Sequence, residues 1–355
     1  MTQDLIRCLS KRDDVRLTVS LSRDGENFAE SEAASACGYH VDTFSSRLGV
    51  VAALVRLSRQ MREFLRFVRL NDVDVVFAVM RHPFGPLVFS ALRRQKRRVV
   101  LVVHDALPHP GDSLPFWHIH FNLELRATDG IVVMSQAVAE TMRRHYHYPT
   151  ERTFFMPLPA PQFRGPRVPR TAPQSRPWRL LFFGRIRQYK GLELFSQAYR
   201  LLQQQFSVTL QILGQGESPA LAWLADDPSV TIKQGWVPEE DVPSVLEEAD
   251  ILVLPYIEAS QSGVLMSGFA AGLPAVATPV GGITEQVLSG HNGLLARAVT
   301  PEAVAESIAK LISDEDLYAR CSSGALASAA DAFSTSRAVD AILAASRAIR
   351  EMPPR

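Results

Sequence analysis

The sequence predicts an α/β protein of two Rossmann-like domains with a cleft between them, and three observations carry that expectation. At 355 residues the chain exceeds the size at which a single hydrophobic core usually stops growing, so two domains are the default. Short apolar runs of strand type alternate with amphipathic helical stretches along most of its length, the pattern of parallel sheets covered on both faces. One segment, 157–179, breaks the alternation: it is rich in Pro and Arg, lacks apolar periodicity, and reads as a connection between domains.

Taken in order, residues 2–10 read as the end of a helix, and Val15, Leu17, Val19 and Leu21 alternate as a strand. Strands are expected near 75–79, 99–103, 130–134 and 153–156, with helices near 50–70, 85–96, 114–127 and 135–145. After the connection, strands follow near 179–183, 208–213, 229–233, 250–254 and 274–277. Helices are expected there near 190–204, 219–225, 239–248, 262–271, 301–313 and 315–329. A last helix, 335–351, gathers Ala338, Val339, Ile342, Leu343 and Ile349 on one side. The predicted division is 1–160, a linker at 161–177, 178–334, and a C-terminal helix at 335–355 that crosses back to the first domain.

Composition narrows the class. An apolar content of 46% and a charged content of 21% are those of an ordinary soluble globular chain, and a net charge of +1 offers no bulk attraction to nucleic acid. Cys8, Cys37 and Cys321 are far apart and lack metal-ligand spacing, which argues against a disulfide framework or a zinc site and for a reducing compartment. No apolar run approaches the roughly 20 residues of a membrane-spanning helix. The opening residues, MTQDLIRCLSKRDD, lack the apolar core of a signal peptide. The expectation is a cytoplasmic protein.

The stretch around which the chain is organised is Leu180 to Glu193, LLFFGRIRQYKGLE. A strand-type run ends at Gly184, and Arg185, Arg187 and Lys190 then fall in a short loop before a helical pattern. Cations at the carboxyl end of a strand, beside a helix N-terminus with unpaired N–H groups, suit a phosphate or diphosphate. A solvated basic turn fits the same residues.

That loop is followed by LQILGQGE (210–217), GWVPEEDVPSVLEEADILVLPY (235–256), EASQSGVLMSGFAAGLPAVAT (258–278) and GGITEQVLSGHNGLLA (281–296). In order and spacing the five blocks resemble the GT-B glycosyltransferases of family 4. In the N-terminal half the resemblance is thinner and rests on VVLVVHDALPHPGD (99–112) and the sheet pattern. It implies a GT-B fold, a retaining transfer of a hexose from a nucleotide diphosphate sugar to a saccharide or lipid-linked acceptor, and no metal or other cofactor. Arg185 and Lys190 match the cations that bind the donor diphosphate, where fixed charge stabilises the leaving nucleotide. Ser262, Gly263 and Val264, ahead of a helical run, offer backbone N–H groups to phosphate. Gly184, Gly214, Trp236, Val237, Glu258 and Ser267 match positions near the nucleoside or sugar, although Trp236 also fits ordinary packing. Gly281 and Gly282 read as a turn that lets the chain pass close to the donor or as a simple loop. His104, at a strand's carboxyl end, matches a catalytic His that approaches the donor sugar. His109 and Asp112 are weaker acceptor-side candidates.

Two departures from the family stand out. Its signature pair of Glu residues, with seven residues between them, falls here on Ala259 and Ser267, with Glu258 beside the first. A family member also begins with a core strand that is missing ahead of residue 2, so roughly 15 further residues, one strand and a turn, are expected upstream. Both departures keep open a glycosyltransferase-like binding or scaffold protein without turnover. An epimerase or phosphorylase on the same fold suits the 258–278 block less well.

Near 50–70, Arg56, Arg59, Arg62, Arg66 and Arg69 share one helix face, with Leu54, Leu57, Met61, Phe64, Leu65 and Val68 on the other. Such a helix suits an anionic membrane surface and would make the protein peripheral there. A solvated charged face has the same pattern.

Overall fold

The computed structural model describes residues 2–22, 37–41, 47–108, 116–165 and 167–355. The N-terminal domain holds α1 (Thr2–Leu9), β1 (Val19–Ser22), β2 (Cys37–Val41), α2 (Arg47–Leu70), β3 (Val75–Ala78), α3 (Gly85–Arg94), β4 (Arg98–Val103), α4 (Trp117–Arg126), β5 (Gly130–Val133), α5 (Gln136–Tyr146) and β6 (Thr153–Phe155). The strands β3-β4-β5-β6 form a four-stranded parallel sheet, and β1 pairs in parallel with β2, among the described residues its one partner. Val99 to Val103 and Ile131 to Val133 are buried on both faces, as their unbroken apolar runs, mostly β-branched, require.

Differences from the sequence expectation concentrate at the start. The first strand begins at Val19, and Val15 and Leu17 pack against the core as half-buried side chains instead. β2 has no clear apolar alternation and was not foreseen. Among the described residues β1 and β3 are not paired with each other, and all four residues of β3 are half-buried.

The C-terminal domain contains β7 (Trp178–Phe183), α6 (Leu192–Gln203), β8 (Val208–Gly214), α7 (Pro219–Leu224), β9 (Val230–Gln234), α8 (Val242–Glu248), β10 (Ile251–Leu254), α9 (Gly263–Ala270), β11 (Ala275–Ala277), α10 (Ile283–Gln286), β12 (Gly293–Leu295), α11 (Pro301–Ser313) and α12 (Glu315–Ala330). Its six parallel strands run β12-β11-β10-β7-β8-β9, so β7 is central and its carboxyl end lies where the order reverses, the usual ligand crevice of an open α/β sheet. β12 and α10 are the elements here that periodicity left out.

The linker is fixed rather than free. Arg170 donates to the carbonyls of Leu246 (2.9 Å) and Ala271 (3.1 Å), and Arg176 makes a bidentate pair with the buried Asp250 at 2.5 and 2.7 Å. The last helix, α13 (Thr335–Glu351), returns to the first domain and packs on α1, β5 and β6. Its Ala338, Val339, Leu343 and Ile349 join one core with Val100 and Val132 of the N-terminal sheet and Leu252 and Phe269 of the C-terminal domain. Among the described residues no helix is long and apolar enough to cross a membrane.

Candidate active site

The site is built at the carboxyl ends of β7, β8 and β9. Gly184 N–H bonds Leu213 O at 3.0 Å, Ile186 N–H bonds Gln215 O at 2.8 Å, and Gly235 N–H bonds Gly214 O at 3.0 Å, so the three strand exits are laced together. Gly214 adopts φ 151°, and a Cβ there would run into the Gly184 carbonyl. Buried Ile186 anchors the loop between Arg185 and Arg187, which are exposed. A short 3-10 turn, Gln188–Lys190, then leads through Gly191 into α6.

Lys190 is half-buried, with Nζ 3.7 Å from the centroid of the Tyr256 ring and 5.3 Å from that of Tyr189, whose hydroxyl Arg185 approaches at 3.5 Å. The aromatic faces hold the ammonium without neutralising it. Gly184 is packed so closely that a Cβ would lie 3.0 Å from Val264 Cγ2, which brings the cationic loop against the start of α9.

At that start, Ser262 is buried and its Oγ accepts the Leu265 N–H at 3.2 Å, while the Tyr256 hydroxyl lies 3.3 Å from the same oxygen. The next two N–H groups, of Gly263 and Val264, have no hydrogen-bond partner among the described residues, and Gly263 is exposed beside open space. Two open donors at a helix N-terminus, with two cations on the loop that packs against it, suit an anion.

The other candidates are spread around it. Trp236 is 68% exposed and, with Val237, Leu213 and Lys233, lines a cavity of 300 Å³ beside α8. Glu258 is exposed next to buried Ala259, and Ser267 turns its hydroxyl back onto the Gly263 carbonyl at 3.2 Å. Gly281 and Gly282 nest against the carbonyls of Ala259 and Ser260, and Gly282 also lies against Ser135 of the N-terminal domain. His104 closes β4, and its Nε2–H donates to Val79 O at 2.9 Å, which leaves Nδ1 as the acceptor of the neutral ring. Among the described residues no hydrogen bond ties it to the residues around Lys190 and Ser262. His109 and Asp112 lie outside the described residues.

Sequence reasoning missed Tyr256, Glu285 and Gln286. Glu285 Oε2 accepts the Gln136 N–H at 2.7 Å and Oε1 the Ala137 N–H at 2.9 Å, across the two domains. Gln286, 3% exposed, accepts the Ser262 N–H at 2.9 Å. All three stand inside the quoted blocks, but only three-dimensional contact reveals what they hold. Among the described residues no group of three or more His, Cys, Asp or Glu side chains gathers in a way that would hold a metal ion.

Away from this site, at the opposite end of β4, a groove of 990 Å³ runs between α3 and α4. Arg93, Arg94, Lys96, Arg97, Arg98 and Arg126 line it together with Leu87 and Leu123.

Comparison with known proteins agrees with this architecture. The profile of Glycosyltransferase Family 4 matches residues 1–160 and that of Glycosyl transferases group 1 matches 177–314. Amylovoran biosynthesis glycosyltransferase AmsK of Erwinia amylovora is 32% identical over 148 residues, 39% of this chain and 35% of that relative. A D-inositol 3-phosphate glycosyltransferase of Corynebacterium urealyticum is 30% identical over 147 residues, again 35% of its length. These matches therefore span about a third of each curated relative. Among solved structures, a glycosyltransferase from Rickettsia africae superposes with a TM-score of 0.72 at 15% identity, covering 99% of this chain and 95% of that one. HepE of Anabaena in complex with UDP-glucose gives 0.71 at 19% identity, covering 98% and 95%. With two parallel-sheet domains, a linker and a returning C-terminal helix in the same chain, the protein belongs to the family 4 glycosyltransferases of GT-B fold.

Proposed function

We propose that the protein is a retaining hexosyltransferase that moves a sugar from a nucleotide diphosphate donor to a saccharide or lipid-linked acceptor. The observation that carries this reading is the packing of Gly184 against Val264, which brings the loop bearing Arg185 and Lys190 against the start of α9, where the Gly263 and Val264 N–H groups are open. A diphosphate there would meet two fixed cations and two backbone donors, and the charge growing on the leaving nucleotide would be stabilised without reorganisation. The cavity at Trp236 and Val237 suits the nucleobase. His104, with Nδ1 as acceptor, is assigned to a donor-sugar hydroxyl from the opposite domain. The UDP-glucose complex of HepE supports uridine as the first base to try, and the likeness to AmsK supports a role in exopolysaccharide synthesis. The retaining outcome comes from the family resemblance.

The acceptor side carries a second part of the reading, a peripheral position on an anionic membrane in the cytoplasm. Arg56, Arg59, Arg62, Arg66 and Arg69 are all exposed on α2, and the cationic groove between α3 and α4 adds to the same domain. Flotation with anionic liposomes should be salt-sensitive; equal recovery with neutral liposomes would remove this part.

One observation favours a rival reading, a sugar-nucleotide-binding protein without turnover. Ala259 is buried and Ser267 spends its hydroxyl within its own helix, so neither supplies the carboxylate of the family's Glu pair.

Melting curves with saturating UDP, GDP and ADP test the donor site. At a hundred times Kd a ligand stabilises by about 2.7 kcal/mol, a shift of several degrees. Wild type should shift with one nucleotide and an Arg185→Ala, Lys190→Ala variant should not. Release of that nucleotide from its sugar, in the presence of an acceptor, separates transfer from binding alone. No shift with any of the three in folded protein would overturn the donor site.

A further inference from the structure

The one-turn helix α10 holds two consecutive side chains that reach in different directions. Glu285 crosses to the N-terminal domain, where its carboxylate accepts the first two N–H groups of α5 at 2.7 and 2.9 Å. The third, Val138 N–H, is taken by Ser135 at 3.2 Å. A helix of 11 residues thus has its first turn satisfied largely by the opposite domain. Carboxylate-to-N–H bonds at a helix N-terminus are charge-assisted and aligned with the macrodipole. Gln286 reaches into the donor domain instead and fixes the Ser262 N–H at 2.9 Å, while Asn292 Nδ2 donates to the Gln286 carbonyl at 3.1 Å.

The loop that Gln286 holds has unspent hydrogen-bonding capacity. Gln286 Nε2 and Gln261 Oε1 are both buried and without a partner, and the N–H groups of Gly263 and Val264 are open. An anion adds acceptors for the Gly263 and Val264 N–H groups and for the unpartnered Gln286 Nε2, so these donors have a better-satisfied arrangement available when one is bound.

We infer that Glu285 and Gln286 are positioning residues that couple occupancy of the donor phosphate site to engagement of the two domains. A phosphate on Gly263 and Val264 settles the Ser262 loop, Gln286 follows through its bond to Ser262, and the short turn of α10 holds Glu285 on the start of α5. The inference rests on the donor-site reading above. It adds two residues outside the phosphate-binding set and assigns them to closure.

Amide exchange at Gln136 and Ala137, measured on the full chain with UDP as the probe and calorimetry as the measure of binding, tests it. In wild type, saturating UDP should slow exchange at these two amides at least tenfold. Glu285→Ala should remove their protection with and without UDP. Gln286→Leu should still bind UDP yet show no UDP-dependent change at 136 and 137, and Gln286→Glu, which keeps an acceptor for Ser262 N–H, should restore it. The inference is overturned if Glu285→Ala leaves exchange there unchanged, or if Gln286→Leu, folded and binding UDP, shows the wild-type response. If UDP, GDP and ADP all fail to bind wild type, the donor-site reading falls and the coupling with it, whereas nucleotide binding without coupling overturns the inference alone.

Discussion

Lys190 Nζ stands over the ring of Tyr256, 3.7 Å from its centroid, and the hydroxyl of the same ring lies 3.3 Å from Ser262 Oγ. One aromatic side chain therefore sits between the cation and the helix cap on which the donor reading depends. Replacing Tyr256 with Leu removes both contacts and should weaken nucleotide binding about tenfold, the equivalent of about 1.4 kcal/mol. Tyr256→Phe keeps the face beneath Lys190 and should lose less than threefold. Titration calorimetry on both variants checks the order.

Gly191 follows Lys190 directly, at φ 70°, and a Cβ there would meet the Pro255 carbonyl. Gly191→Ala should cost more than the roughly 1–2 kcal/mol of the left-handed conformation alone. Gly290, at φ 81° with nothing within 4 Å of a Cβ, is the matched control: its Ala variant should lose only that conformational part. Urea melts of the pair separate dihedral strain from collision.

Asp250 is almost fully buried, receives Arg176 at 2.5 and 2.7 Å, and accepts Arg179 N–H at 2.8 Å. Asp250→Ala strands these donors and unties the linker, and should cost about 3–5 kcal/mol. The exposed Arg297–Glu306 pair has comparable length, 2.9 Å, yet solvent screening leaves it little worth, and Glu306→Ala should leave the unfolding midpoint essentially unchanged. Chemical denaturation of both variants compares them.

Burial pushes the Cys321 thiol up to about 11. Since the thiolate is the reactive form, iodoacetamide at pH 8 should leave Cys321 unmodified in the native protein and label it only on unfolding. Peptide mass spectrometry with and without denaturant reads the result.

Burial, with a smaller contribution from His120, lowers the His82 pKa in the folded state. Its Nδ1 accepts the Phe84 N–H at 3.2 Å, which requires that nitrogen to be unprotonated. As pH falls, the unfolded chain takes the proton first, so the His82 contribution is complete above about pH 6.5 and is lost as pH drops through the folded value. His82→Gln should flatten the stability profile between about pH 5 and 7 relative to wild type.

The C-terminal domain was legible because each of its motifs sits on a strand exit. The run Leu180 to Phe183 made β7, Gly184 ended it, and the cations followed. Where a side chain's role depends on what faces it from elsewhere, the sequence was silent. Glu285 and Gln286 read as polar residues in a turn, and their meaning lies with Gln136 and Ser262, 149 and 24 positions away. β2 and β12 escaped notice because CGYHV and GLL offer little period to recognise. Ser267 sits where the family alignment put it, but its hydroxyl has been taken up by the backbone of its own helix.

The return of α13 also sets an order of assembly. Ile349 lies against Gly130 so closely that a Cβ there would come within 2.9 Å of its Cδ1, and Leu343 and Ala345 fill the same layer as Leu5, Leu9 and Val132. On the ribosome, residues 1–160 emerge first but lack this wall until residues 335–351 have been synthesised. The C-terminal domain has all six of its strands once β12 has been made. The packing of the N-terminal half therefore waits on the last helix, and its apolar face over β5 and β6 is uncovered in the interval.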